Sequence, residues 1–197
     1  MAQYIHDPPV YVMAEDSAES QIELGLFASR MAALCEEMGA VLGRSAFSPN
    51  IRDRLDYSCA AFDARGALLG QATHIPVHLG SMAYAMTGLA ASRRWSPGDM
   101  LAVNDPFQGG THLPDITLIA PAFCDETLIG FAANRAHHAD IGAEAPGSMP
   151  LSTHIKQEGL QIPPTLIMQR GKWIKPVLDE LLAGLRDGEA AFGDFSA

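Results

Sequence analysis

The sequence predicts an α+β protein in which antiparallel hairpins pack against helices. Three observations carry that expectation. One long stretch has apolar residues at alternating spacings of three and four, and two pairs of strand-like runs are each joined by a short polar turn. Strands do not alternate with helices as a parallel βαβ sheet would require.

The first helix is marked by Ser17 and Ser20 as capping residues, by Glu19 and Glu23 in its first turn, and by Leu24, Phe27, Met31, Leu34, Met38 and Val41 along one face. That stripe is expected to cover a core. A first hairpin follows, 57–62 and 67–71, around Asp63-Ala64-Arg65-Gly66. The stretch from His74 to Ser81 reads as a Pro-bearing loop that enters a helix over 82–91, and a single strand comes next. A second hairpin pairs 116–123 with 128–134 across Cys124-Asp125-Glu126-Thr127. From Ala139 to Pro164 the chain is rich in Pro and Gly and reads as a long connection, a length that usually has a function or is disordered. A closing helix is expected over 177–185.

The 197 residues allow one sizeable core or part of a larger one. With 13 Lys+Arg against 23 Asp+Glu the net charge is −10, which repels a nucleic-acid backbone. No apolar run is long enough to span a bilayer, and 1–10 does not resemble a secretory signal, so a cytoplasmic protein is expected. Cys35, Cys59 and Cys124 lack any C-x-x-C spacing and read as free, buried thiols. The phosphate-binding patterns G-x-x-x-x-G-K-[ST] and G-x-G-x-x-G are absent, as is the nucleophile pattern G-x-S-x-G. Any ATP used must bind elsewhere.

Six of the seven histidines lie between His74 and His154. His112 and Asp115 flank Leu113-Pro114, whose proline keeps the turn out of helical geometry. His137 ends the strand that pairs with the one leaving Asp115, so one hairpin can bring all three together. Two imidazoles and a carboxylate with open positions suit a catalytic Zn, Mn or Fe ion. His138 should face away from whatever His137 binds, because alternate residues of an extended chain point to opposite faces. His138 and Asp140 are candidates for proton transfer, or a hydrogen-bonded pair that supports the loop. Arg135 is a candidate for binding a substrate carboxylate, or an ordinary ion pair. Asn104 and Gly110 are candidate substrate contacts, since a strand end and a Gly109-Gly110 pair permit close approach. His74 and His78 read as structural turn histidines, a further ligand or a pocket wall. His154 ends the long loop.

The strings Ser58-Cys59-Ala60-Ala61-Phe62-Asp63, His74 through Met82, Asn104 through Asp115 with its Gly-Gly-Thr-His-Leu-Pro-Asp, His137-His138-Ala139-Asp140-Ile141-Gly142 and Pro146-Gly147-Ser148-Met149-Pro150 resemble the N-terminal signatures of the hydantoinase B/5-oxoprolinase family, which is related to the metal-carrying subunits of acetone and acetophenone carboxylases. The resemblance implies a divalent transition metal on His112, Asp115 and His137, and an ATP-using hydantoinase A-like partner subunit. It implies opening of a cyclic amide: a hydantoin, 5-oxoproline or a lactam. The alternatives it leaves are a carboxylase subunit and an inactive assembly module. Residues 1–18 then form an N-terminal extension, and 19–197 the N-terminal portion of a larger hydantoinase B-like fold. Members of that family are typically more than twice as long, so the missing C-terminal part is expected on a further chain or segment.

Overall fold

The computed structural model describes residues 18–73, 75–78, 80–143 and 150–197. The expectations for Ser17, His74 and Pro146 through Met149 lie outside those residues. Helix α1 spans Ala18–Ser45, and the one-turn α2 spans Pro49–Arg52. Strands β1 (Tyr57–Asp63) and β2 (Leu68–Thr73) form the first hairpin, and a 3-10 turn over Pro76–His78 leads into α3 (Ser81–Leu89). After β3 (Met100–Val103), the second hairpin joins β4 (Asp115–Cys124) to β5 (Thr127–His137). A short hairpin of β6 (Thr165–Gln169) and β7 (Lys172–Trp173) precedes α4 (Lys175–Ala183) and α5 (Gly188–Ser196).

Among the described residues, seven strands form one antiparallel sheet in the order β2-β1-β5-β4-β3-β6-β7. Both expected hairpins are present. In the first, Gly66 takes φ +85°, and Asp63 Oδ1 accepts from the backbone N–H groups of Arg65 and Ala67 at 2.8 Å each. The glycine is required because a Cβ there would also press on the Met86 carbonyl.

The two faces of the sheet bury different helices. Ala60, Phe62, Leu101, Val103, Ile119, Phe131 and Ala133 pack with Met82, Met86 and Leu89 of α3. On the opposite face Cys59 and Ala61 meet Cys35 and Leu42 of α1, while Ala102, Ile116, Leu118 and Ile167 meet Leu181 of α4 and Phe195 of α5. Period-two alternation along each strand produces this division.

The apolar stripe of α1 is only partly covered. Cys35, Gly39 and Leu42 are buried, yet Leu24 is 68% and Val41 47% exposed. Residues 21–30 of this 28-residue helix are exposed throughout, and burial begins in its second half at Cys35. Cys35 and Cys59 are buried, and burial pushes the Cys59 thiol up to about 12. Cys124 differs from expectation, being exposed beside the β4–β5 turn. Among the described residues no helix is long and apolar enough to cross a membrane. The only helix or strand between β5 and β6 among the described residues is a 3-10 turn at Ile155–Gln157, which His154 caps by accepting from Lys156 N at 3.2 Å.

Candidate metal centre

Asp115 opens β4 and His137 closes β5, and the ladder sets them directly opposite each other. Thr117 and Arg135 are the next same-face pair, and Ser58 on β1 lies opposite Arg135. The site therefore sits at one end of the α3 face, where the strands hand over to loops. Backbone bonds fix those loops: Asp115 N donates to His112 O at 3.0 Å, His138 N to Pro114 O at 2.9 Å, and His137 N to Asp56 O at 2.9 Å.

His112, Asp115 and His137 each offer one ligand atom, all within 4.8 Å of one another. His112 Nε2 lies 3.3 Å from His137 Nδ1, which lies 3.2 Å from Asp115 Oδ1. Ligands held ~2.0–2.2 Å from one ion at right to tetrahedral angles are about 3.0–3.4 Å apart, so these two separations suit a divalent transition metal, as does the chemistry of two imidazoles and a carboxylate. Asp115 is fully buried, and His112 is a third exposed, giving the cluster a dry floor and a wet rim.

Burial alone would raise the Asp115 carboxyl. The hydrogen bonds it receives outweigh this and hold it far below the usual carboxylate range: His112, His137, His78 and Thr111 all point at it. Thr111 Oγ1 donates to Oδ2 at 2.6 Å, and His112 Nδ1 lies 3.1 Å from the same oxygen. Two of these partners, His78 and Thr111, lie outside the expected ligand set: the sequence marks His78 as a turn residue, a further ligand or a pocket wall, and Thr111 only as part of a motif. Asp56, whose Oδ2 is 3.9 Å from His137 Nδ1, is a further neighbour that the sequence does not single out. Placing β1 beside β5 would have located Asp56, because Tyr57 pairs with Ala136 and Asp56 falls next along the ladder.

The other expected site residues are engaged by the fold. Arg135 is completely buried: Nε donates to Thr117 Oγ1 at 2.8 Å, Nη1 to Ser81 Oγ at 2.6 Å, and Nη2 to the Gly109 carbonyl at 2.6 Å. Burial lowers its pKa to about 10 against the opposing pull of Asp115, so it stays charged at neutral pH. Its guanidinium thus staples the glycine loop to the sheet. Asn104 donates to the Leu113 and Leu160 carbonyls at 2.6 and 2.8 Å and accepts from Ile162 N at 2.6 Å, tying the loop that carries His112 to the long connection. Gly110 permits close approach to the chain itself, since a Cβ there would run into the Asn104 carbonyl.

His138 and Asp140 are not brought to His112, Asp115 and His137. The His138 ring contacts Phe195, its Nδ1 is 4.0 Å from Asp194 Oδ2, and burial pushes its pKa down to about 4. Asp140 accepts from Gly142 N at 2.9 Å and from Arg186 N at 2.6 Å. Strand alternation turns His138 to the α5 side, and Asp140 follows it there. Of the two roles open to this pair, loop support is the one these contacts provide.

The family model described as Hydantoinase B/oxoprolinase matches residues 20–197. An uncharacterised protein of Methanocaldococcus jannaschii is 42% identical over 185 residues, 90% of this chain and 32% of that protein. A 5-oxoprolinase of Saccharomyces cerevisiae is 44% identical over 156 residues, 76% of this chain and 12% of that protein. Among solved structures, the ATP-dependent caprolactamase from Pseudomonas jessenii superposes with a TM-score of 0.79 at 29% identity, covering 89% of this chain and 31% of that one. The chain thus spans a third or less of each of these relatives.

Proposed function

The chain belongs to the hydantoinase B/oxoprolinase family, and we propose that it carries the metal-holding part of an enzyme that opens a cyclic amide with the help of an ATP-using, hydantoinase A-like partner. The observation that supports this most is the convergence of His112 Nε2, His137 Nδ1 and the Asp115 carboxylate at one end of the β4–β5 hairpin. The substrate class is a hydantoin, 5-oxoproline or a lactam. It agrees with the names of the yeast relative and of the caprolactamase.

In this reading His112, Asp115 and His137 hold a Zn, Mn or Fe ion. Such an ion, when bound, polarises an activated carbonyl or makes a water nucleophilic near neutral pH. The chain's own residues supply the preorganisation. Thr111 and His78 hold the Asp115 carboxylate in place, Arg135 fixes the Gly109 carbonyl, and Asn104 fixes Leu113. His112 sits between these two anchors, so its ring is positioned before substrate arrives, which is what orientation catalysis needs. Asp56, partly exposed beside His137, is the carboxylate placed to exchange a proton with the rim.

Turnover tests the proposal. The chain, co-expressed with a hydantoinase A-like subunit and any chain carrying the family's C-terminal part, should open hydantoin, 5-oxoproline or a lactam only when ATP is present. Ring opening that needs no ATP would contradict the partner assignment. Product formation that requires bicarbonate would favour the carboxylase alternative.

A further inference from the structure

A buried line of side chains runs behind Asp115, away from the cluster. His78 is fully buried in the Pro76–His78 turn, with its Nε2 3.2 Å from Asp115 Oδ2 and its Nδ1 2.9 Å from Ser58 Oγ. Ser58 is also fully buried, on β1, between β2 and β5 in the sheet. The turn is tied to the same sheet face: Ser81 Oγ donates to the His78 carbonyl at 3.1 Å and accepts from Arg135 Nη1 at 2.6 Å.

The hydrogen-bond directions along this line follow from chemistry. An ionised carboxylate only accepts, so the His78 proton must be on Nε2. In the neutral ring Nδ1 then only accepts, and the Ser58 hydroxyl donates to it. Both ring nitrogens are engaged within the fold, and His78 lies outside the group of three whose ligand atoms converge. Its effect falls on Asp115. With His78 and Thr111 holding Oδ2, Oδ1 is left facing His137 Nδ1 at 3.2 Å.

We infer that Ser58 and His78 form a positioning relay for the metal centre, in which Ser58 fixes the His78 tautomer and His78 fixes the rotation of the Asp115 carboxylate. This rests on the metal reading given above. Histidine ligands commonly have such supporting partners, whose loss weakens metal binding about 10–100-fold. Here the ligand being oriented is the carboxylate, and the histidine is the support.

Three variants of the full chain test the relay, with Zn²⁺ titrated by calorimetry. His78→Leu removes the donor at similar bulk and should weaken Zn²⁺ binding about 10–100-fold. His78→Gln can still present an N–H to Asp115 and should stay within ~3-fold of the unaltered chain. Ser58→Ala should fall between them. Nitrogen-15 NMR of the metal-free chain should show a proton on His78 Nε2 and Nδ1 as the acceptor. That signature does not depend on any variant folding. Unchanged Zn²⁺ affinity in His78→Leu, or a proton on Nδ1, would overturn the relay and leave the metal centre standing. If the unaltered chain binds no Zn²⁺ saturably, the metal reading itself fails, and the relay with it.

Discussion

Asp115 and His137 oppose each other across the β4–β5 ladder, and their side chains meet at 3.2 Å on the same face as α3. In an antiparallel pair a one-residue slip would turn one of them to the other face. The register that buries Ile119 and Ala133 in the core is therefore the same register that assembles the site. Core packing and ligand geometry are specified together.

Arg135 connects the sheet to the glycine loop through three donated hydrogen bonds. Arg135→Lys should destabilise the protein by about 1.5–3 kcal/mol for each charge-assisted bond that lysine leaves unmade. For a chain of this size that corresponds to a melting temperature lower by at least ~3 °C. Calorimetric melting checks it. An unchanged transition with a raised KM would instead make Arg135 a substrate anchor.

Gly110 has no space for a side chain against the Asn104 carbonyl. Gly110→Ala should cost about 1–3 kcal/mol through overpacking. It should also weaken metal binding, because the same loop carries Thr111 and His112. Both effects are read from denaturant titrations and metal titrations of one variant. Wild-type stability would show that the loop has room to move.

His138 predicts a pH dependence of the metal-free chain. Burial lowers its folded pKa to about 4, whereas the unfolded value is near 6.5. The unfolded chain takes up the proton first, so this contribution to stability is fully present above pH ~6.5 and is lost as pH falls toward 4. The slope is up to ~1.4 kcal/mol per pH unit. Urea denaturation across that range should show a steeper loss for the unaltered chain than for His138→Asn. Parallel profiles would contradict it.

The exposed stripe of α1 should make the isolated chain self-associate, since Leu24, Phe27, Leu34 and Val41 face solvent. Light scattering checks this, and Leu24→Glu with Phe27→Glu should restore monomers. A monodisperse monomer of the unaltered chain would count against it.

The sequence patterns that repeat locally were legible. Period-two runs located both main hairpins, and the turn between His112 and Asp115 placed the ligands at a strand end. The β6–β7 hairpin and α5 were not legible. The first is only five and two residues long, and the second includes Gly188 and Gly193, poor helix formers. The roles of His78, Asn104 and Arg135 depend on partners far away in sequence. Ser58 and His78 are 20 residues apart, and Asn104 and Ile162 are 58 apart. Motif spacing cannot reveal such contacts.

The central claim is that His112, Asp115 and His137 together hold one metal ion. Its most direct test is metal content by plasma mass spectrometry after equilibration with Zn²⁺, Mn²⁺ or Fe²⁺ and dialysis. The unaltered chain should retain close to one ion per chain, and His112→Ala, Asp115→Asn and His137→Ala, each confirmed folded, should retain almost none. Equal retention by the unaltered chain and the three variants would contradict the claim.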